Sequence, residues 1–123
     1  VSNAKERTKE MLLNHPDMNV LVTFNEWTSL GVGYAIEELE MSDRIHVVGF
    51  DSNIVSVGML ETGEVDSLIV QNPYAMGYLG VENAYNAIHN IPIEKEEIKT
   101  ETILVTRENM FRDECQKALF LFE

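Results

Sequence analysis

Two hydrophobic patterns alternate along this chain: short continuous apolar runs, and longer stretches in which apolar residues recur at helical spacing. The apolar runs are typical of buried strands and occupy residues 21–24, 45–50, 67–70 and 100–106. The longer stretches predict helices over residues 4–14, 28–40, 54–61 and 74–89, and the tail 111–123 predicts one more, with apolar residues at 119–122. Alternation of this kind predicts an α/β fold built from parallel βαβ units.

Three of the predicted strands run into a polar residue that can bind a small ligand. These residues are Asn25, Asp51 and Gln71, separated by 26 and 20 positions, which fits one strand plus one crossover helix. The carboxyl ends of parallel strands share one edge of the sheet, so we expect the three side chains to lie within roughly 10 Å of one another. Two amides and an acceptor carboxylate suit a ligand covered in hydroxyls, such as a sugar or polyol.

Each of these residues also has a purely structural interpretation. Asn25 and Asp51 could cap the following helix or form a local turn, because such side chains bond nearby backbone N–H groups. Gln71 could be a polar residue of a hinge before Pro73. Trp27 could stack on a sugar ring or serve as packing at a helix start. The pattern alone leaves these alternatives open.

Composition narrows the classes of function. At 123 residues the chain is about one domain, and its net charge of −12 disfavours direct binding to nucleic acid or to an anionic membrane surface. Neither a membrane span nor a signal peptide is predicted, because the apolar stretches are short. A single Cys115 excludes an intrachain disulfide. His15, His46 and His89 lack ligand spacing, so neither a metal nor a cofactor is predicted.

Catalysis is not supported by the residues. A phosphoacceptor receiver domain needs a Lys at a later strand end, where this chain has Gln71. A carboxylate-pair hydrolase needs a partner acid, and Asp51 has no evident one. Gly31 and Gly33 lie within a helical pattern, which is weak support for a dinucleotide site. The prediction is a protein that is not an enzyme.

An ordered set of motifs resembles a known family. The motifs are FNE at 24–26 followed by LG at 30–31, VVGFD at 47–51, GEVD at 63–66, QNPYAMG at 71–77 and VTREN at 105–109. Together they resemble the C-terminal part of type I periplasmic sugar-binding proteins, most closely the ribose- and galactose-binding group. The resemblance implies that Asn25, Asp51 and Gln71 hydrogen-bond the sugar. Glu26 stands where the motif more commonly has Asp, and we assign it no contact.

The resemblance also implies how the chain is organised. Residues 1–71 would be part of the C-terminal ligand-binding lobe, 72–99 a helix and connection that pack on the N-terminal lobe, and 100–123 a return strand and tail. The expected fold is a flavodoxin-like half-lobe, without the N-terminal lobe and without the first two strands of its own lobe. An open strand edge and a helix exposing Leu79, Val81 and Ile88 then predict self-association of the chain.

The function implied is non-catalytic binding of a sugar by the solute-binding protein of an ABC transporter. Its partners would be the transporter's membrane subunits, and its location extracytoplasmic, periplasmic or as a cell-surface lipoprotein. An alternative is the effector-sensing domain of a cytoplasmic, sugar-responsive transcription regulator of the lactose-repressor type, which shares the fold. A third is a pure interaction module that keeps the fold without the sugar site.

Overall fold

The computed structural model describes residues 1–93 and 97–120. Within that part of the chain, helices and strands alternate as the hydrophobic pattern predicts. The elements are α1 Ser2–Asn14, β1 Val20–Val22, α2 Glu26–Glu38, β2 His46–Phe50, α3 Ile54–Thr62, β3 Ser67–Gln71, α4 Pro73–Ile88, β4 Thr102–Thr106 and α5 Asp113–Phe120. The last apolar residues of the predicted tail, at 121 and 122, lie outside the described residues.

The strands form one sheet in the order β1-β2-β3-β4. β1, β2 and β3 are mutually parallel, and β4 returns antiparallel to β3. The α/β prediction is therefore confirmed, with an antiparallel strand added at one side. We call the edge at which β1, β2 and β3 all end the carboxyl edge.

The two faces of the sheet differ in how well they are covered. In the strand register, Leu21 pairs with Val47, and Leu68 with Val105, and all four side chains are buried in the core. The opposite face is partly open, since Val22 is 53% exposed and Leu104 56% exposed. The helices therefore bury one face of the sheet and leave apolar side chains of the other accessible to solvent.

α1 packs closely against α2 on the covered side. A side chain at Gly31 would place its Cβ 2.5 Å from the Ala4 Cβ, so the two helices approach closely only because this residue is glycine. Lys5 and Lys9 both form ion pairs with Glu38 across this contact. The hydrogen bonds from the two lysines lower the pKa of Glu38, and the bond to Glu38 raises the pKa of Lys9.

α4 stands apart from the rest of the fold. None of its 16 residues is buried by the described part of the chain. As predicted, Val81 and Ile88 are exposed, whereas Leu79 is half-buried. Tyr74, Tyr78, Val81 and Tyr85 line a shallow apolar groove of about 630 Å³ along the helix.

Candidate ligand site at the carboxyl edge

Asp51 and Gln71 meet at the carboxyl edge. Asp51 directly follows β2, and Gln71 is the last residue of the neighbouring β3. The Gln71 Nε2 group donates a hydrogen bond of 2.9 Å to Asp51 Oδ1, and both residues are half-buried. The second carboxylate oxygen and the Gln71 amide oxygen are acceptors, so the pair can receive hydrogen bonds from ligand hydroxyls.

Asn25 lies at the same edge, and its side chain caps a helix. Its Oδ1 accepts from the Thr28 N–H at 2.9 Å and from the Thr28 hydroxyl at 3.0 Å, which caps the N-terminus of α2. The capping alternative is therefore realised for this residue. Capping uses only Oδ1, and the Nδ2 group, which makes no hydrogen bond to the described residues, can still donate to a ligand.

A buried serine ties the ends of β1 and β2 together. Ser29 Oγ lies 2.9 Å from the Asn25 carbonyl oxygen and accepts from the Phe50 N–H at 2.9 Å. It also lies 2.7 Å from the Thr23 hydroxyl. β1 ends at Val22, two residues before the predicted position, and the Thr23 hydroxyl that follows it contacts α2 through Ser29. Asn25 and the residue preceding Asp51 are thus held by the same side chain.

A second link joins the N-termini of α2 and α3. Asn53 caps α3 by accepting from the Val55 and Ser56 N–H groups, and Ser56 Oγ accepts from the Asn53 N–H. The Asn53 Nδ2 group donates to Glu26 Oε1 at 2.6 Å. Glu26, for which the sequence predicts no contact with the ligand, therefore connects the first turn of α2 to the segment that follows Asp51.

Some contacts of these supporting residues could be predicted from the sequence, and others could not. The Asn53–Ser56 spacing of three residues is the pattern of a capping box and could have identified the start of α3. The Glu26–Asn53 bond joins residues 27 positions apart, and no local signal in the sequence indicates it. Trp27 is 63% exposed in the first turn of α2, so packing against the described residues does not account for it.

The described residues form neither a metal site nor a membrane-spanning helix. Among them, no group of three or more His, Cys, Asp or Glu side chains is arranged to hold a metal ion. Of the helices in the described ranges, none has the length and apolar character needed to cross a membrane.

Comparison with known proteins identifies the class. The family model described as "Periplasmic binding protein domain" matches residues 1–91. This match covers more than half of the 123 residues, and the chain belongs to that family.

Individual relatives point in the same direction. The chain is 28% identical over 102 residues to the D-allose-binding periplasmic protein of Escherichia coli K12, covering 79% of this chain and 33% of that protein. A carbohydrate transporter solute-binding protein from Agrobacterium radiobacter, in complex with D-arabinose, superposes with a TM-score of 0.87 at 30% identity, covering 96% of this chain and 40% of that one. An ABC transporter solute-binding protein from Agrobacterium vitis with bound D-fucose gives a TM-score of 0.85 at 27% identity, covering 97% and 41%.

The matches cover most of this chain but less than half of each relative. The chain spans about a third of the D-allose-binding protein and about two fifths of the two solute-binding proteins. The fold of a partial lobe of these proteins is thus established for this chain, in agreement with the predicted half-lobe.

Proposed function

We propose that this chain supplies one side of a sugar-binding cleft in the solute-binding protein of an ABC transporter. The observation that carries the proposal is the Asp51–Gln71 pair at the carboxyl edge, with Asn25 nearby as the N-cap of α2, three residues after β1 ends. Ligands of open α/β sheets bind beyond this edge. The two Agrobacterium relatives are named as solute-binding proteins of transporters, which supports the transporter over the regulator alternative.

Within this function, Asp51 accepts hydrogen bonds from sugar hydroxyls, Gln71 accepts with its amide oxygen, and Asn25 donates with Nδ2. The role is binding without chemistry, and the location is extracytoplasmic, as the word "periplasmic" in the name of the D-allose-binding relative supports. Closure of two lobes around the sugar is the signal that the membrane subunits read.

The connection 72–99 belongs, in this proposal, to the face that meets the N-terminal lobe. α4 supports this placement because its tyrosine-lined groove is exposed along the helix and the described part of the chain fully buries no α4 residue. A contiguous row of exposed apolar and aromatic side chains is typical of an interface. The boundary between Gln71 and Asn72 then acts as the hinge between the two lobes.

The function is tested by isothermal titration calorimetry of the complete gene product. D-allose, D-arabinose and D-fucose are the probes, because they occur in the names of the relatives. We expect saturable binding of at least one of these sugars at a single site. Absence of measurable heat with all three at millimolar concentration would contradict the proposal.

A further inference from the structure

The loop of residues 51–53 is held by side chains from both neighbouring elements. On the side of β3, Gln71 Nε2 donates to Asp51 Oδ1. On the side of α2, Glu26 Oε1 accepts from Asn53 Nδ2 at 2.6 Å. We call residues 51–53 the Asp51 loop.

This loop needs support because its first residue has an unusual backbone. Asp51 has a φ of 64°, in the left-handed region that residues other than glycine rarely adopt. Its N–H still donates to the Ile69 carbonyl oxygen at 2.9 Å, so the residue leaves the sheet abruptly after its last ladder bond. A backbone of this kind persists only when its surroundings fix it.

We propose that Glu26 is a positioning residue for the ligand site, acting through Asn53 on Asp51 without touching the ligand. The inference rests on the function proposed above. Both polar atoms of the Asn53 side chain form hydrogen bonds, because Oδ1 caps α3 and Nδ2 donates to Glu26. The start of α3 is therefore tied to the first turn of α2, and Asp51, two residues earlier, is held in place before the sugar arrives.

The charge of Glu26 strengthens this link. A hydrogen bond to an ionised carboxylate is shorter and stronger than one between neutral groups, and the observed 2.6 Å agrees with this. Holding a binding group in its bound geometry raises affinity because less ordering is required on binding. Glu26 therefore contributes to affinity by reducing the freedom of the Asp51 loop.

The test uses two substitutions that keep every helix cap. Asn53→Asp still caps α3, but it removes the donor to Glu26 and sets two carboxylates against each other. In the complete gene product, calorimetry should show affinity for the tightest of the three sugars falling about five- to tenfold. Glu26→Gln alone keeps an oxygen that accepts from Asn53 but loses the charge, so its affinity should fall by only about twofold, less than in Asn53→Asp.

The double variant provides the control. Glu26→Gln combined with Asn53→Asp reverses donor and acceptor, so the link forms again and affinity should return to within about twofold of the wild type. An Asn53→Asp variant that binds as the wild type does, or a double variant that binds no better than Asn53→Asp, would overturn the proposal. If Asn53→Asp does not fold, Glu26→Ala removes the acceptor without adding charge and carries the same expectation.

A measurement without ligand separates this inference from the proposed function. Amide hydrogen exchange at residues 51–53 should speed up by about tenfold in Asn53→Asp and return to the wild-type rate in the double variant. If the wild type binds no sugar, the proposed function is wrong, while unchanged exchange in Asn53→Asp shows that the link does not hold the loop.

Discussion

At the scale of single residues, Asp51 combines a polar side chain with a strained backbone. Its φ of 64° costs a residue with a Cβ roughly 1–2 kcal/mol, although Asp and Asn adopt this region more readily than most. Strain of this kind concentrates at functional sites. The position at the carboxyl edge and the backbone conformation are thus two separate observations that favour a ligand role.

Replacing Asp51 tests that role directly. Asp51→Ala in the complete gene product should weaken sugar affinity by at least about tenfold, because a hydrogen bond to a charged group is lost and its partner is left unpaired. Calorimetric titration measures the change. Asp51→Asn is the matched control for size and backbone, and it isolates the contribution of the charge. Unchanged affinity in both variants would remove Asp51 from the site.

Asn25 requires a variant that separates its two functions. The Asn25→Asp variant keeps the cap on α2, so the unfolding free energy of this variant should stay within about 0.5 kcal/mol of the wild-type value. Asn25→Ala removes the cap and should lower the unfolding free energy by about 1 kcal/mol. Both variants lack Nδ2, and both should bind sugar several-fold more weakly, by roughly 1 kcal/mol. Urea denaturation and calorimetry measure the two quantities. An Asn25→Asp variant with wild-type affinity would show that Asn25 is a cap and nothing more.

At the scale of elements, α3 is delimited by local signals at both ends. It begins with the Asn53–Ser56 capping box, and Gly63 in the left-handed conformation is its C-cap. Gly63 has a φ of 103°, and a Cβ there would lie 2.6 Å from Arg107 Nη2, which belongs to the turn after β4. The flexible end of the Arg107 side chain therefore lies against Gly63 and would have to move to admit a Cβ.

Gly63→Ala should lower the unfolding free energy by about 1–3 kcal/mol, because the left-handed conformation penalises a Cβ, whereas the flexible Arg107 side chain can move aside. Gly58→Ala is the matched control in the same helix, where the added Cβ meets no described atom within 4 Å. That variant should gain about 0.5–1 kcal/mol, as alanine does over glycine in a helix. Urea denaturation of the complete gene product measures both; equal effects of the two substitutions would contradict this account of Gly63.

The elements were predictable from the sequence where the signal is local. Hydrophobic periodicity predicted the helices and strands. Gly63, the C-cap of α3, and Pro73, the first residue of α4, are residue types that favour a helix end and a helix start. Contacts between distant residues were not predictable: the Glu26–Asn53 bond and the role of Ser29 depend on how strands and helices meet in three dimensions. For the candidate site, the sequence indicated Asn25, Asp51 and Gln71 but not the hydrogen bond between the last two.

At the scale of the whole molecule, the described part of the chain leaves apolar surface on two sides. Val22 and Leu104 are about half exposed on one face of the sheet, and β1, at the end of the strand order, has an open edge. On another side, α4 exposes Val81 and its tyrosines. Open strand edges and unpartnered apolar faces favour association.

We therefore predict that the 123-residue chain self-associates at micromolar concentration and by itself binds sugar weakly, because it supplies one side of a cleft. Added salt should strengthen the association by screening the net charge of −12. Light scattering measures the mass. Two variants identify which surface associates. Val22→Lys should reduce the association if it occurs through the open edge at β1, because a lysine disfavours strand pairing. Val81→Lys should reduce it if it occurs through the exposed face of α4, because a lysine disfavours burial of that face. A stable monomer with two-state unfolding would refute this prediction.

The central claim is that the carboxyl edge of this sheet holds a sugar, and a crystal structure of the complete gene product with its tightest sugar tests it most directly. We expect ligand hydroxyls within about 3.2 Å of the Asp51 carboxylate and of the Gln71 amide oxygen, and a hydrogen bond from Asn25 Nδ2 to the sugar. The Gln71–Asp51 and Asn53–Glu26 hydrogen bonds should persist in the complex. A sugar bound elsewhere, with water at Asp51 and Gln71, would contradict the claim.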